Sequence, residues 1–94
     1  MIIVAGSLRV AASDRDDFVA RSSEAVELAR QAAGCLDFAV SADLVDGERV
    51  NVYERWSDRD ALHAFRGDGP GDDLGRMILG ADVREFGVHP PDPA

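Results

Sequence analysis

Apolar and polar positions alternate from Ile2 to Ala11. Ile2, Val4, Gly6, Leu8 and Val10 share one side, and this period of two, rich in β-branched residues, predicts a strand. After Ser13 the period lengthens. Phe18, Ser22, Ala25, Val26, Ala29, Ala32 and Ala33 fall on one face, with Glu24, Glu27 and Gln31 on the other, which predicts one helix from Asp14 to Ala33. Ser13 is its expected N-cap, Asp14, Asp16 and Asp17 suit its positive end, and Gly34 supplies the stop. Alternation returns in "CLDFAVSADL", with Leu36, Phe38, Val40 and Ala42 set against Cys35, Asp37, Ala39 and Ser41. It continues in "RVNVYERW", where Val50, Val52, Glu54 and Trp56 share a side. Asp46-Gly47 between the two runs predicts a hairpin. "SDRD" then repeats the cap pattern, with Ser57 as N-cap, Leu62 and Phe65 as the apolar stripe of a second helix, and Gly67 as its end.

Gly67 to Asp73 reads as a turn-rich loop that follows no strand, so it is not a phosphate-binding loop. Leu74, Met77, Ile78 and Leu79 suggest one or two further helical turns before a final strand from about Ala81 to Val88. The order β-α-β-β-α-β places the chain in the α+β class, as a ferredoxin-like arrangement with a four-stranded antiparallel sheet and helices on one face. The opposite face, carrying Ile3, Ala5, Ala39, Tyr53 and Phe86 or Val88, then needs a cover, and a second copy of the sheet is the expected one.

Composition narrows the classes of function. Ninety-four residues hold one core. The net charge of −8, with ten arginines, no lysine and 18 acids, repels phosphate backbones and argues against nucleic-acid binding. The start "MIIVAGSLRV" lacks a basic n-region and a long apolar run, so neither a signal peptide nor a membrane span is expected. The lone Cys35 fits a reducing, cytoplasmic setting. One cysteine and two distant histidines give no metal-ligand spacing, and no dinucleotide fingerprint is present.

The opening strand "MIIVAGSLRV", the helix ending in "GCLDF" and the stretch "YERWSDRDALHAF" together resemble the antibiotic biosynthesis monooxygenase family. The resemblance covers Met1 to Val88 and implies one such domain over residues 1–88, followed by a proline-rich tail at 89–94. It further implies a homodimer joined through its sheet faces into an α/β barrel, with a pocket between sheet and helices in each subunit. Members of this kind oxidise planar phenols to quinones with dioxygen and no metal, flavin or heme, because an electron-rich phenolate can itself reduce oxygen. The heme-degrading branch uses an asparagine, a tryptophan and a histidine at places held here by Gly6, Phe65 and Gly75. Heme is therefore not expected, and Gly6 is expected to enlarge the pocket instead.

On this reading Phe38, Val52, Trp56, Phe65 and Met77 are the expected substrate-binding set, with His63 and Trp56 as the catalytic candidates. Each has a plainer alternative. Trp56 is a core or interface aromatic if it is not a pocket wall. His63, at the margin of its apolar stripe, is either solvent-exposed or a proton acceptor at a pocket mouth. Glu54, a carboxylate on an apolar face, needs a partner: a structural hydrogen bond or ion pair, or else the work of a general base. His89, beside the prolines, has no expected role. A cofactor-free monooxygenase acting on a small phenolic or quinol substrate is the leading function. A stress-related or small-aromatic-binding module without turnover, and a polyketide cyclase or isomerase, are the alternatives.

Overall fold

The computed structural model describes residues 1–67 and 72–94. Its elements follow the chain as β1 (Ile2–Val10), α1 (Arg15–Arg21), α2 (Ser23–Gln31), β2 (Cys35–Ala42), β3 (Arg49–Trp56), α3 (Arg59–Arg66), α4 (Asp72–Met77) and β4 (Ile78–Gly87). The strands form one antiparallel sheet in the order β2-β3-β1-β4. This is the expected ferredoxin-like plan, with β1 and β3 central. Beyond β4 the chain is tied back at Val88, whose amide donates to the Met1 carbonyl at 2.9 Å and whose carbonyl accepts from the Met1 ammonium at 3.3 Å.

Local chemistry adjusts the plan in several places. The single long helix is two, because Ser22 interrupts it. Its hydroxyl donates back to the Phe18 carbonyl at 2.8 Å, and its amide is shared between the Phe18 and Val19 carbonyls. The caps sit one residue later than expected. Asp14 rather than Ser13 precedes α1, and Asp58 rather than Ser57 caps α3, accepting from the Ala61 amide at 2.8 Å. The β2–β3 connection is not a tight Asp-Gly hairpin, and Gly47 has no positive φ. Asp43 organises it instead. One carboxylate oxygen accepts from the Val45 and Asp46 backbone amides, the other accepts from the Asn51 side-chain Nδ2 at 3.0 Å, and Arg15 of α1 donates to the Asp43 and Asp46 carbonyls. The expected loop over Gly67 to Asp73 falls largely outside the described residues. Ile78 and Leu79 begin β4 rather than ending a helix.

A register shift between Cys35 and Asp37 matters most for the site. Leu36 is the extra residue and is 48% exposed, while Cys35 turns in against the core, the reverse of their expected faces. Gly34, at φ +81°, makes the preceding turn. A side chain there would meet Ala61 Cβ at 2.5 Å and Ser57 Oγ at 2.7 Å, so the α2–β2 corner packs directly on the start of α3.

Between sheet and helices the apolar residues form two clusters. Ile2, Val4, Ala29, Phe38, Trp56 and Leu62 make the first; Val10, Phe18 and Val50 make the second, and Val40 touches both. The other sheet face carries rows set by the register. One runs Asp37, Arg55, Ile3, Phe86, and the next Ala39, Tyr53, Ala5, Arg84. The side-chain Nε of Arg55 on that face is buried without a hydrogen-bond partner among the described residues.

Candidate functional site

Residues two apart on a strand point the same way, so Glu54 and Trp56 of β3 both face the helices. Trp56 is fully buried and Glu54 only 8% exposed. A buried indole N–H needs an acceptor, and Glu54 provides it: Trp56 Nε1 donates to Glu54 Oε1 at 3.0 Å. The indole is also fixed by aromatic neighbours. Phe65 of α3 lies over Trp56 with ring centroids 5.4 Å apart, and meets Phe38 of β2 edge-on at 5.9 Å. Three elements thus build one aromatic wall with a carboxylate at its border.

The register extends this border across the sheet. Val4 of β1 pairs with Glu54 on one side and Glu85 on the other, so Phe38, Glu54, Val4 and Glu85 form one row beneath α3. The backbones that carry the two carboxylates stand two inter-strand spacings apart, about 10 Å. Their surroundings differ. Burial pushes the Glu54 carboxyl above its ordinary range; the Trp56 hydrogen bond and the more distant Arg66 charge pull it down, and Glu85 pushes it up further. Glu85 is held below its ordinary range. Desolvation there acts upward, but hydrogen bonds and charge from Arg59 and Arg66 outweigh it. Arg59 Nε lies 3.4 Å and Arg66 Nη1 3.3 Å from the Glu85 carboxylate. The cations of α3 are therefore engaged with Glu85, and among the described residues the Glu54 carboxylate is bonded only by an indole.

The structure brings together Phe38, Trp56 and Phe65 of the expected set, and separates the others. Val52 is half-buried on the same face of β3, in register between Val40 and Gly6. Met77 packs in the second cluster with Val10, Phe18 and Val50. His63 is exposed on α3. Gly6, at φ +155°, opens no pocket. A Cβ at this position would overlap the Asp82 carbonyl, so the missing side chain lets β4 lie close against β1. Glu85, Arg59 and Arg66 are not among the residues singled out from the sequence. A signal for them exists all the same: alternation with outward Phe86 turns Glu85 inward, toward arginines spaced along α3.

Elsewhere, a depression of about 240 Å³ lies at the far end of the sheet, lined by Ser7, Arg9, Glu48, Arg49 and Asp82 among others, with charges of both signs. It is remote from the aromatic wall. Among the described residues no group of three or more His, Cys, Asp or Glu side chains could hold a metal ion, and no helix is long and apolar enough to cross a membrane.

A family model for antibiotic biosynthesis monooxygenases matches residues 1–69. Among solved structures, a candidate antibiotic biosynthesis monooxygenase of Deinococcus radiodurans superimposes with a TM-score of 0.79 at 21% identity, covering 100% of this chain and 98% of that one. One from Nitrosomonas europaea gives 0.82 at 15% identity, over 94% and 98%. The heme-degrader MhuD of Mycobacterium tuberculosis, solved with two hemes bound in its active site, gives 0.70 at 18%, over 99% and 100%. At these identities the likeness is one of fold. An uncharacterized Synechocystis protein is 30% identical over 61 residues, which are 65% of this chain and 42% of that protein's length.

Proposed function

This chain belongs to the antibiotic biosynthesis monooxygenase family, and on that premise we propose that it is a cofactor-independent monooxygenase for a small planar phenolic or quinol substrate. The substrate lies between sheet and helices, against the half-buried Phe65, with Phe38 and the fully buried Trp56 packed behind it, and reacts there with dioxygen. The observation that carries this reading is the convergence of three aromatic rings from β2, β3 and α3 beside a buried, ionisable Glu54. A flat, apolar wall matches an aromatic ring, and exclusion of water favours electron transfer from a phenolate to oxygen over side reactions. The protein's share of the work is orientation, a dry site and the handling of a proton.

The enzyme acts as a homodimer joined through the outer sheet faces. Ile3, Ala5, Ala39, Tyr53 and Phe86 supply apolar area to that contact, and the unpaired Nε of Arg55 supplies a polar group in need of an acceptor. The activity is tested by aerobic incubation of metal-stripped protein with a panel of anthrones and naphthols, following quinone absorbance. Protein-dependent quinone formation is expected from at least one member. Stabilisation of the protein by quinones in a thermal-shift screen, with no turnover of any compound, would replace this reading with that of an aromatic-binding module.

A further inference from the structure

We propose that Glu54 is the proton acceptor of this site, with Oε1 holding the indole of Trp56 and Oε2 receiving the substrate's acidic proton. This deepens the monooxygenase reading and rests on it for the class of substrate: a planar aromatic with an acidic C–H or O–H. In the step, that bond breaks and its proton moves to Oε2. The electron pair stays on the substrate as an aryl-oxide or stabilised carbanion, and Glu54 becomes a neutral acid.

A merely structural partner for Trp56 would look different. The indole N–H requires one acceptor, and a neutral amide or a backbone carbonyl would serve. A carboxylate serves at a cost, since its charge must leave water. Such a cost is usually offset by a cation, yet the nearest ones, Arg59 and Arg66, lie against Glu85 at 3.4 and 3.3 Å. Glu54 thus stays ionisable among apolar groups, keeping 8% exposure while Trp56 behind it has none. Two carboxylates in one row, one bound to cations and one not, have had their proton affinities pushed apart, and that separation marks the one that exchanges protons. The charged groups that act on Glu54 are Arg66 on α3 and Glu85 on β4; Cys35 on β2 feels its charge and that of Arg30 on α2, and Arg59 on α3 lies against Glu85. His63, also on α3, is exposed.

The test separates proton removal from oxygenation. Anthrone is mixed with the protein in D2O under nitrogen, and loss of its methylene protons is followed by NMR across pH. The native protein is expected to accelerate this exchange, with a rate that rises with pH through the ionisation of Glu54. Glu54→Gln keeps an acceptor for the indole and is expected to lose on the order of 10²-fold or more of the acceleration, with an unchanged near-UV dichroism of Trp56. Glu85→Gln removes a repelling charge and releases Arg66, so the acid limb is expected to move to lower pH. A purely structural Glu54 predicts no such shift. Exchange by Glu54→Gln at the native rate would overturn the proposal, as would quinone formation in air by a native protein that exchanges no protons under nitrogen. Exchange without quinone in air would support Glu54 and sink the oxygenase reading instead.

Discussion

Replacing Glu54 in two ways separates its role as an acceptor from its role as a charge. Glu54→Leu leaves the Trp56 Nε1–H, in a fully buried site, without the oxygen that now accepts it at 3.0 Å. A stranded buried donor costs about 1–3 kcal/mol. In a domain of this size each kcal/mol moves the melting temperature by about 4–8 °C, so Glu54→Leu should melt roughly 4–24 °C below Glu54→Gln, which keeps an acceptor. Leucine also adds apolar contact, and a double-mutant cycle removes that complication. With Trp56→Phe there is no N–H to strand, and the difference between leucine and glutamine at position 54 should largely disappear. The measurement is thermal unfolding by circular dichroism at one fixed protein concentration, since assembly would shift the midpoint.

The charge shows itself through pH. Burial raises the Glu54 carboxyl in the folded protein above its unfolded value, so the folded state holds the extra proton between the two values. The native chain's stability from this group is complete below the unfolded value and is lost as pH rises through the folded one. Glu54→Gln does not titrate. Its stability relative to the native protein should therefore grow with pH across that window and then level off. Equal melting of Glu54→Leu and Glu54→Gln in the native Trp56 background would refute the hydrogen-bond argument, and a pH-independent difference between native and Glu54→Gln would refute the electrostatic one.

Three further outcomes are expected. Gly6→Ala places a methyl group 2.8 Å from Val83 Cα and into the Asp82 carbonyl; as backbone atoms cannot rotate aside, overpacking and backbone strain together should cost about 2–6 kcal/mol, and a melting temperature near that of the native protein would contradict the close approach of β1 and β4. Asp43→Ala should speed hydrogen exchange at the Val45 and Asp46 amides while leaving the strands protected. The same loosening should appear in the native protein as pH falls toward about 2, where Asp43 protonates, held down first by its bond from the Asp46 amide; unchanged exchange would refute the role of that carboxylate. Ala39→Glu puts a charge into the outer-face row of Ala39, Tyr53, Ala5 and Arg84. Sedimentation of the native protein at twice 10.1 kDa, falling to 10.1 kDa in this variant, is expected, and a native mass of 10.1 kDa would end the sheet-to-sheet dimer.

The order of elements was legible because period-two and period-3.6 runs are separated by glycines and polar caps, and nothing in the fold contradicts that order. The departures arise where a single side chain competes with the backbone pattern. Ser22 sits on the buried face of an amphipathic run and looks continuous with it, yet its hydroxyl takes the Phe18 carbonyl and breaks the helix. Asp46-Gly47 has the sequence of a tight hairpin, but Asp43 binds two amides of the connection and sets a wider loop. At Cys35 and Leu36, alternation alone assigns the faces. One bulged residue inverts that assignment, turning the smaller thiol inward and the larger leucine out.

The site was less legible than the fold because its chemistry runs across strands rather than along them. Glu54 and Trp56 share a strand face two residues apart, so their meeting was open to a sequence argument. Whether Glu54 would find a cation was not, since that depends on which residue β4 sets beside Val4. The register answers with Glu85, which lies 31 positions further along the chain and takes both arginines of α3. Had β4 slipped by two residues, Val83 or Gly87 would stand there. Arg59 and Arg66 would then lack Glu85, and Glu54 would be their nearest acid in the row, as a paired and inert carboxylate. The reactivity proposed for Glu54 thus rests on the pairing between β1 and β4. That pairing depends in turn on Gly6, the one place where β1 carries no side chain to hold β4 away.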